Sequence, residues 1–139
     1  MIIKIQKDNF NLEKEILAIK NNFPEVGAVS TFIGYVKSSN ADRKVKSIEL
    51  EVYEEMAFHY LKKILNNAKQ KWSLIDALII HRYGKLNINE KIVLIATFSK
   101  HRKNSFEACN FIMDYLKKEA PFWKKEHYED GYNWLENTI

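Results

Sequence analysis

The residues best suited to chemistry are lysines near the C-terminus. Between Lys100 and Lys125 stand seven basic residues (100, 102, 103, 117, 118, 124, 125) against three acidic ones (107, 114, 119). At about 100° per residue, Phe106, Cys109, Met113 and Leu116 are expected to share one buried helical stripe. Lys117 then falls at the edge of that stripe, one turn past Met113. A lysine at an apolar edge loses solvation, which disfavours its charged form and suits it to proton transfer. Lys118 points outward four residues after Asp114, where an ordinary surface ion pair explains it.

Lys124 follows Ala120-Pro121-Phe122-Trp123, a rigid, extended stretch. Strand alternation places Phe122, Lys124 and Glu126 on one side and Trp123 and Lys125 on the other. A chain that turns at Pro121 can fold back so that Lys124 faces the helical turn holding Lys117. A slip of one residue would exchange Lys124 for Lys125. His101-Arg102 sits between a buried run and the start of the same helix. Unpaired N–H groups and the positive dipole end make an Arg there a candidate phosphate or carboxylate clamp; spacing alone favours an exposed strand-end pair.

Other reactive types read as structural. Cys109, the one cysteine, lies mid-helix in the expected core stripe and behaves there as a small hydrophobe. His81 and Arg82 end a buried run and are expected to make structural hydrogen bonds. His59 and His127 have no metal-ligand spacing around them, so no metal or cofactor is expected. Trp72, Trp123 and Trp134 read as core or interface aromatics. Glu49 and Glu51 read as a solvated strand face or as protection of a sheet edge.

The elements that must position these groups follow from periodicity. Residues 2–6 alternate as a short strand, and residues 11–20 form a helix with Leu12, Ile16 and Ile19 inward. A strand spans 27–36, and the polar run 37–44 reads as a loop. Residues 45–53 alternate with Ile48, Leu50 and Val52 on one face and Ser47, Glu49 and Glu51 on the other. Helices cover 54–71 and 103–119, the second ending before Pro121. The apolar runs 74–81 and 92–98 are central strands, with turn signals between them. The segment from Phe122 is extended, with a turn at Asp130-Gly131. The pattern implies one α+β domain over residues 1–139, its sheet mostly antiparallel and packed against helices.

Composition narrows the classes. With 139 residues, 46% apolar, the chain can build a core without disulfide or metal staples. A net charge of +4 permits an anionic partner without naming one. A single cysteine fits a reducing cytoplasm. No run is long enough to span a membrane, and the N-terminus lacks a signal-peptide pattern.

Several blocks together resemble the catalytic (large) subunit of molybdopterin synthase. They are Phe32-Ile33-Gly34-Tyr35-Val36-Lys37 with Ser38-Ser39-Asn40, Leu50-Glu51-Val52-Tyr53 with Met56-Ala57, and Ile80-His81-Arg82-Tyr83-Gly84-Lys85-Leu86. Ser99-Lys100-His101-Arg102, Phe106-Glu107-Ala108, Met113-Asp114-Tyr115-Leu116-Lys117 and Ala120-Pro121-Phe122-Trp123-Lys124-Lys125-Glu126 complete them, in family order. The resemblance implies an α/β-hammerhead fold. It implies a homodimer within a heterotetramer, with a small ubiquitin-like subunit at each end. That subunit's thiocarboxylated Gly-Gly tail enters a pocket and delivers sulfur twice to cyclic pyranopterin monophosphate, giving the molybdopterin dithiolene.

By the same resemblance Lys117 and Lys124 stand at catalytic positions. Tyr35, Val36, Lys37, His101, Arg102, Met113, Lys125 and Glu126 stand at substrate-binding ones. Two departures stand out. Lys37 replaces the family's usual arginine, losing the bidentate fork while keeping the charge. The tail beyond Trp134 is short. Two other readings are a basic nucleic-acid-binding module, which would show steep salt dependence, and an inactive family member that serves as an interaction subunit.

Overall fold

The structure is a computed structural model that describes residues 1–136; the end of the short tail, 137–139, lies outside the described residues. Strand β1 (Ile2–Gln6) is followed by helix α1 (Leu12–Lys20). The Asn11 side chain accepts the Lys14 N–H, and Glu13 and Glu15 occupy the first turn, where the helix dipole favours acid. Next come β2 (Ala28–Tyr35), the two-residue β3 (Ser39–Asn40), β4 (Arg43–Val52) and α2 (Glu54–Trp72). The chain continues through β5 (Asp76–Arg82), β6 (Gly84–Asn87), β7 (Lys91–Ser99), α3 (Arg102–Glu119), β8 (Phe122–Tyr128) and β9 (Gly131–Glu136).

Two sheets result. The first has the order β1-β5-β7-β2, antiparallel except where β1 lies beside β5. Its central strands bury both faces. Leu78, Ile80, Leu94, Ala96 and Phe98 meet Phe10 and Ile19 on the α1 side, while Ala77, Ile79, Val93 and Ile95 join the core beneath α2 and α3. Cover on both faces is why β5 and β7 read as continuous apolar runs. The second sheet has the order β3-β4-β8-β9, with β6 also paired to β4. The mixed α+β architecture with a mostly antiparallel sheet agrees with the expectation.

Local departures have physical causes. Residues 37–44 are not one loop: Ser39 and Asn40 pair with Lys44 and Arg43 in a hairpin. The turn signals before β7 include strand β6, whose pairing comes entirely from β4. Segments this short owe their structure to a distant partner and carry no period of their own. A bulge between Val45 and Ser47 turns Ser47 inward, against the simple alternation.

The buried face of α3 is also rotated from the expected one. It consists of Ser105, Ala108, Cys109, Ile112 and Leu116, whereas Phe106 is 64% exposed and Met113 only half-buried. Small Ser105 and Ala108 let the helix lie close to the sheet. The Ser105 hydroxyl accepts from Ser30 and donates to the Arg102 carbonyl, and its own carbonyl accepts from Thr97. A periodicity count that ranks residues by hydropathy passes over a satisfied serine. On the other flank α2 holds α3 through Trp72 against Phe111, Trp72 Nε1 donating to Glu107, and the Tyr60 hydroxyl donating to Glu119. Phe106, Asn110, Met113 and Lys117 are thereby left on the flank toward β2, an edge strand. Among the described residues no helix is long and apolar enough to cross a membrane.

Candidate active site

The inner face of the second sheet meets the C-terminal end of β2. A cavity of about 280 Å³ lies there, lined by residues 32–37, Ile48, Ile92, Lys124 and Glu126. Tyr35, Val36, Lys37, Lys124 and Glu126, five of the expected site residues, therefore share one hollow. Val36 is buried and anchored: its N–H donates to the Glu90 carbonyl, and its carbonyl accepts from Asn89 N–H, both at 2.9 Å. Lys37 follows it into solvent at the mouth. The alternation expected of β8 is observed, with Phe122, Lys124 and Glu126 inward.

Lys124 and Glu126 form an ion pair at 3.2 Å, their side chains 11% and 3% exposed. The other carboxylate oxygen, Oε1, accepts from Asn40 Nδ2 at 2.9 Å and from the Tyr128 hydroxyl at 2.7 Å. Burial alone would push the Glu126 carboxyl up. The Asn40 and Tyr128 hydrogen bonds and the Lys124 ammonium outweigh burial and hold it below the usual carboxylate range. The same bond raises the Tyr128 phenol, which keeps its proton to donate.

Lys117 reaches the same end of the molecule. The Ser30–Ser105 bond, 2.9 Å, sets the level of α3 against β2. Because α3 runs back across β7, it travels in the direction of β2. From Ser105 to Lys117 the helix rises about 18 Å. From Ser30 the strand covers that distance in five to six residues, which ends at Tyr35 and Val36. By that rise Lys117 comes level with the cavity, with Met113 one turn before, although neither is among the residues that line it. Lys117 is exposed, so the desolvation expected of it is not provided by this chain alone. Among the described residues no ion pair joins Lys118 to Asp114; Lys118 lies instead beside Tyr53, Met56 and Pro121.

Two groups are not brought in. His101 and Arg102 are exposed at the opposite end of α3, beyond Ser99, which pairs with Ala28. Ala28 and Tyr35 are about 23 Å apart along the strand. His101 caps α3 without a side-chain bond, which leaves first-turn N–H groups for an outside acceptor. Lys125 occupies the outer face of the sheet, over the rings of Tyr132 at 4.0 Å and Trp134 at 5.4 Å.

Comparison with known proteins identifies the family. Residues 5–119 match the family model described as MoaE protein. The chain belongs to the MoaE family. It is 48% identical over 137 residues to the molybdopterin synthase catalytic subunit of Ralstonia nicotianae, covering 99% of this chain and 78% of the relative. The molybdopterin biosynthesis MoaE protein of Burkholderia ambifaria superimposes with a TM-score of 0.86 at 41% identity, covering 99% of this chain and 90% of that one. The molybdopterin synthase structure from Staphylococcus aureus gives 0.86 at 32% identity, with 95% of each chain covered.

Within this MoaE chain the remaining reactive groups are structural. Cys109 is buried, and desolvation pushes its thiol up to about 11, so it is a poor nucleophile at neutral pH. His81 is fully buried and stacked on Phe122 at 3.7 Å; burial lowers it to about 4 although its bond to the Arg82 carbonyl opposes that. Since that partner is a carbonyl, Nδ1 carries the proton and Nε2 is the bare, unpartnered nitrogen. Arg82 ties the sheet together by donating to the Lys7 and Lys91 carbonyls.

Sequence reading missed Asn40, Tyr128, Ile48 and Ile92 as parts of the site. Asn40 ends the Ser38-Ser39-Asn40 run, but its target is 86 residues away. The inward phase shared by Glu126 and Tyr128 was the available signal for Tyr128.

Proposed function

We propose that this chain is the catalytic subunit of a molybdopterin synthase, a sulfurtransferase of the cytoplasm. It takes sulfur from the thiocarboxylated Gly-Gly tail of a small ubiquitin-like subunit. Two deliveries convert cyclic pyranopterin monophosphate into the dithiolene of molybdopterin. The working unit is a homodimer of this chain with a small subunit at each end. One observation carries the reading: Lys124, Lys37 and Glu126 line a single cavity, and the rise of α3 from the Ser30–Ser105 bond brings Lys117 level with it.

The chemistry requires an anionic sulfur to approach an anionic substrate. Lys124, oriented by Glu126 in the wall of the cavity, and Lys37 at its mouth offset the phosphate charge and the charge that develops during attack. Lys117, on a long side chain at the rim, is placed to move protons as the cyclic phosphate opens, or to hold the acyl tail transiently. The arriving tail would supply the desolvation that the isolated chain does not give it. Tyr35 and Met113 supply apolar contact at the rim. Lys125 then supports the site from the outer face rather than touching substrate.

His101 and Arg102 enter from a second copy. β2 is an edge strand; Phe32 on it is 36% exposed and Phe106 on α3 64% exposed, a surface suited to burial. A two-fold axis across two β2 edges sets the Ala28 end of one against the Tyr35 end of the other. That brings one copy's helix start and Arg102 to its partner's cavity, where guanidinium and backbone N–H groups can hold phosphate.

The test is the Lys117→Ala chain assembled with thiocarboxylated small subunit. Dithiolene formation is expected to fall by about a thousandfold or more, while melting temperature and dimer mass stay unchanged, because the side chain is exposed. Full activity in that variant would remove Lys117 from the mechanism.

A further inference from the structure

We propose that Asn40 is a positioning residue for the reaction above: its amide fixes the Glu126 carboxylate on Lys124 and ties the β3–β4 hairpin, with Lys37 at its base, to that ion pair. The inference rests on the functional reading just given and adds to it a coupling between the two lysines of the cavity.

The carboxylate is divided between two kinds of partner. Oε1 receives the Asn40 amide and the Tyr128 hydroxyl, while Oε2 faces Lys124 Nζ at 3.2 Å. With Oε1 doubly bound, the group cannot rotate away from Lys124 without breaking two hydrogen bonds. Tyr128 comes from the same strand as Glu126 and moves with it. Among the described residues Asn40 is the side-chain donor to Glu126 from outside that strand, so it ties the ion pair to the β3–β4 hairpin.

The hairpin that presents Asn40 is held under tension. Its two-residue turn places Ala41 at φ 49° and Asp42 at φ 66°, a geometry that favours glycine, asparagine or aspartate, so the strain falls on Ala41. Such backbone persists where its surroundings over-determine it. Here the restraints cross to β8 and to the turn after it. Besides Asn40 on Glu126, Arg43 pairs with Asp130 at 2.8 Å and lies 3.7 Å over the Tyr128 ring. Upstream, Val36 is fastened by Asn89 and Glu90, and the Ser38 carbonyl accepts Val45 N–H. Lys37 therefore sits on a strap held at Val36 on one side and through Asn40 on the other. Loss of the Asn40 amide removes the strap's tie to the ion pair and leaves Glu126 with one neutral donor.

The test uses the whole complex with small subunit, comparing wild type, Asn40→Ala and Asn40→Gln. Two quantities are read: the titration of the Glu126 side-chain carbon by carbon-13 NMR, and the pH profile of kcat/KM for the cyclic substrate. Removing a donor to the charged form raises a carboxyl pKa, so the Glu126 midpoint in Asn40→Ala is expected to move up by about one pH unit. The acid limb of kcat/KM should move up with it, while activity near neutrality, where the carboxylate stays ionised in both proteins, should change little. Asn40→Gln, which keeps a carboxamide donor, should recover most of both. An unmoved Glu126 midpoint in Asn40→Ala overturns the proposal. So does a loss of activity that is uniform across pH, since that would mark a merely structural hairpin. If the wild-type complex makes no dithiolene at any pH, the functional reading fails instead, and the carbon-13 titration alone decides whether Asn40 holds Glu126.

Discussion

Lys124 and Lys117 are the same residue type at the same end of the molecule, yet the fold presents them in opposite ways. Lys124 projects from the inner face of a strand, is nearly buried, and is fixed by a carboxylate at 3.2 Å. Lys117 projects from a helix flank into solvent. A strand inside a sheet gives its side chains little choice of direction, whereas the rim of a helix leaves a four-carbon chain able to sweep. The contrast suggests a division of labour, with a stationary charge that shapes the field of the cavity and a mobile amine that can follow an incoming tail.

The contrast can be broken by comparing losses. Lys117→Ala should remove activity and spare stability. Lys124→Ala should cost about a hundredfold in dithiolene formation and, in addition, about 2–4 kcal/mol of stability by leaving Glu126 buried without its counter-ion. Adding Glu126→Gln to Lys124→Met should restore the stability and not the activity. Chemical denaturation and single-turnover assays on the same samples separate the two quantities. Equal stability losses in both single variants would erase the distinction.

Two buried titratable groups, Glu126 and His81, sharpen it further. Glu126 is buried with three partners and stays ionised, whereas His81 is buried with Nε2 unpartnered and stays neutral. The His81 pKa is lowered from 6.5 to about 4 by burial. Between those values the unfolded chain binds a proton that the folded one does not. Its stabilising contribution is therefore complete above pH 6.5 and is lost as pH falls toward 4. The change amounts to about 3 kcal/mol. His81→Phe should flatten that segment of the stability–pH curve, measured by urea unfolding at stepped pH.

A smaller effect is expected of the distant pair. Arg102→Ala should raise KM for the cyclic substrate about tenfold without altering the fold. If Arg102 serves the neighbouring cavity, inactive Lys117→Ala chains mixed with Arg102→Ala chains should regain sites that carry neither defect, seen as recovery of the low KM. Cys109→Ala should change sulfur transfer least of all, because the buried thiol has no part in it.

Much of this was legible in the sequence, for identifiable reasons. β5 and β7 declared themselves by length and apolar continuity; the extended run after Pro121 placed Lys124 and Glu126 on one side, with the register open to a slip of one residue. The facing of α3 was misjudged at Phe106 because a hydrogen-bonded Ser105 takes the place of an apolar residue. The partnership of Asn40 with Glu126 was invisible because a strand pair separated by 86 residues leaves no periodic trace. The distance of His101 and Arg102 from the cavity was likewise unreadable, since spacing along a chain does not say which end of a helix meets which end of a strand.

The most direct test of a single shared cavity is a crystal structure of the dimer with its small subunits and cyclic pyranopterin monophosphate bound. The expected result is a phosphate within hydrogen-bond distance of Lys124 or Lys37 in one copy and Arg102 in the other, with Lys117 reaching the Gly-Gly tail. A phosphate bound on the outer face near Lys125, or a tail ending away from Lys117, would contradict it.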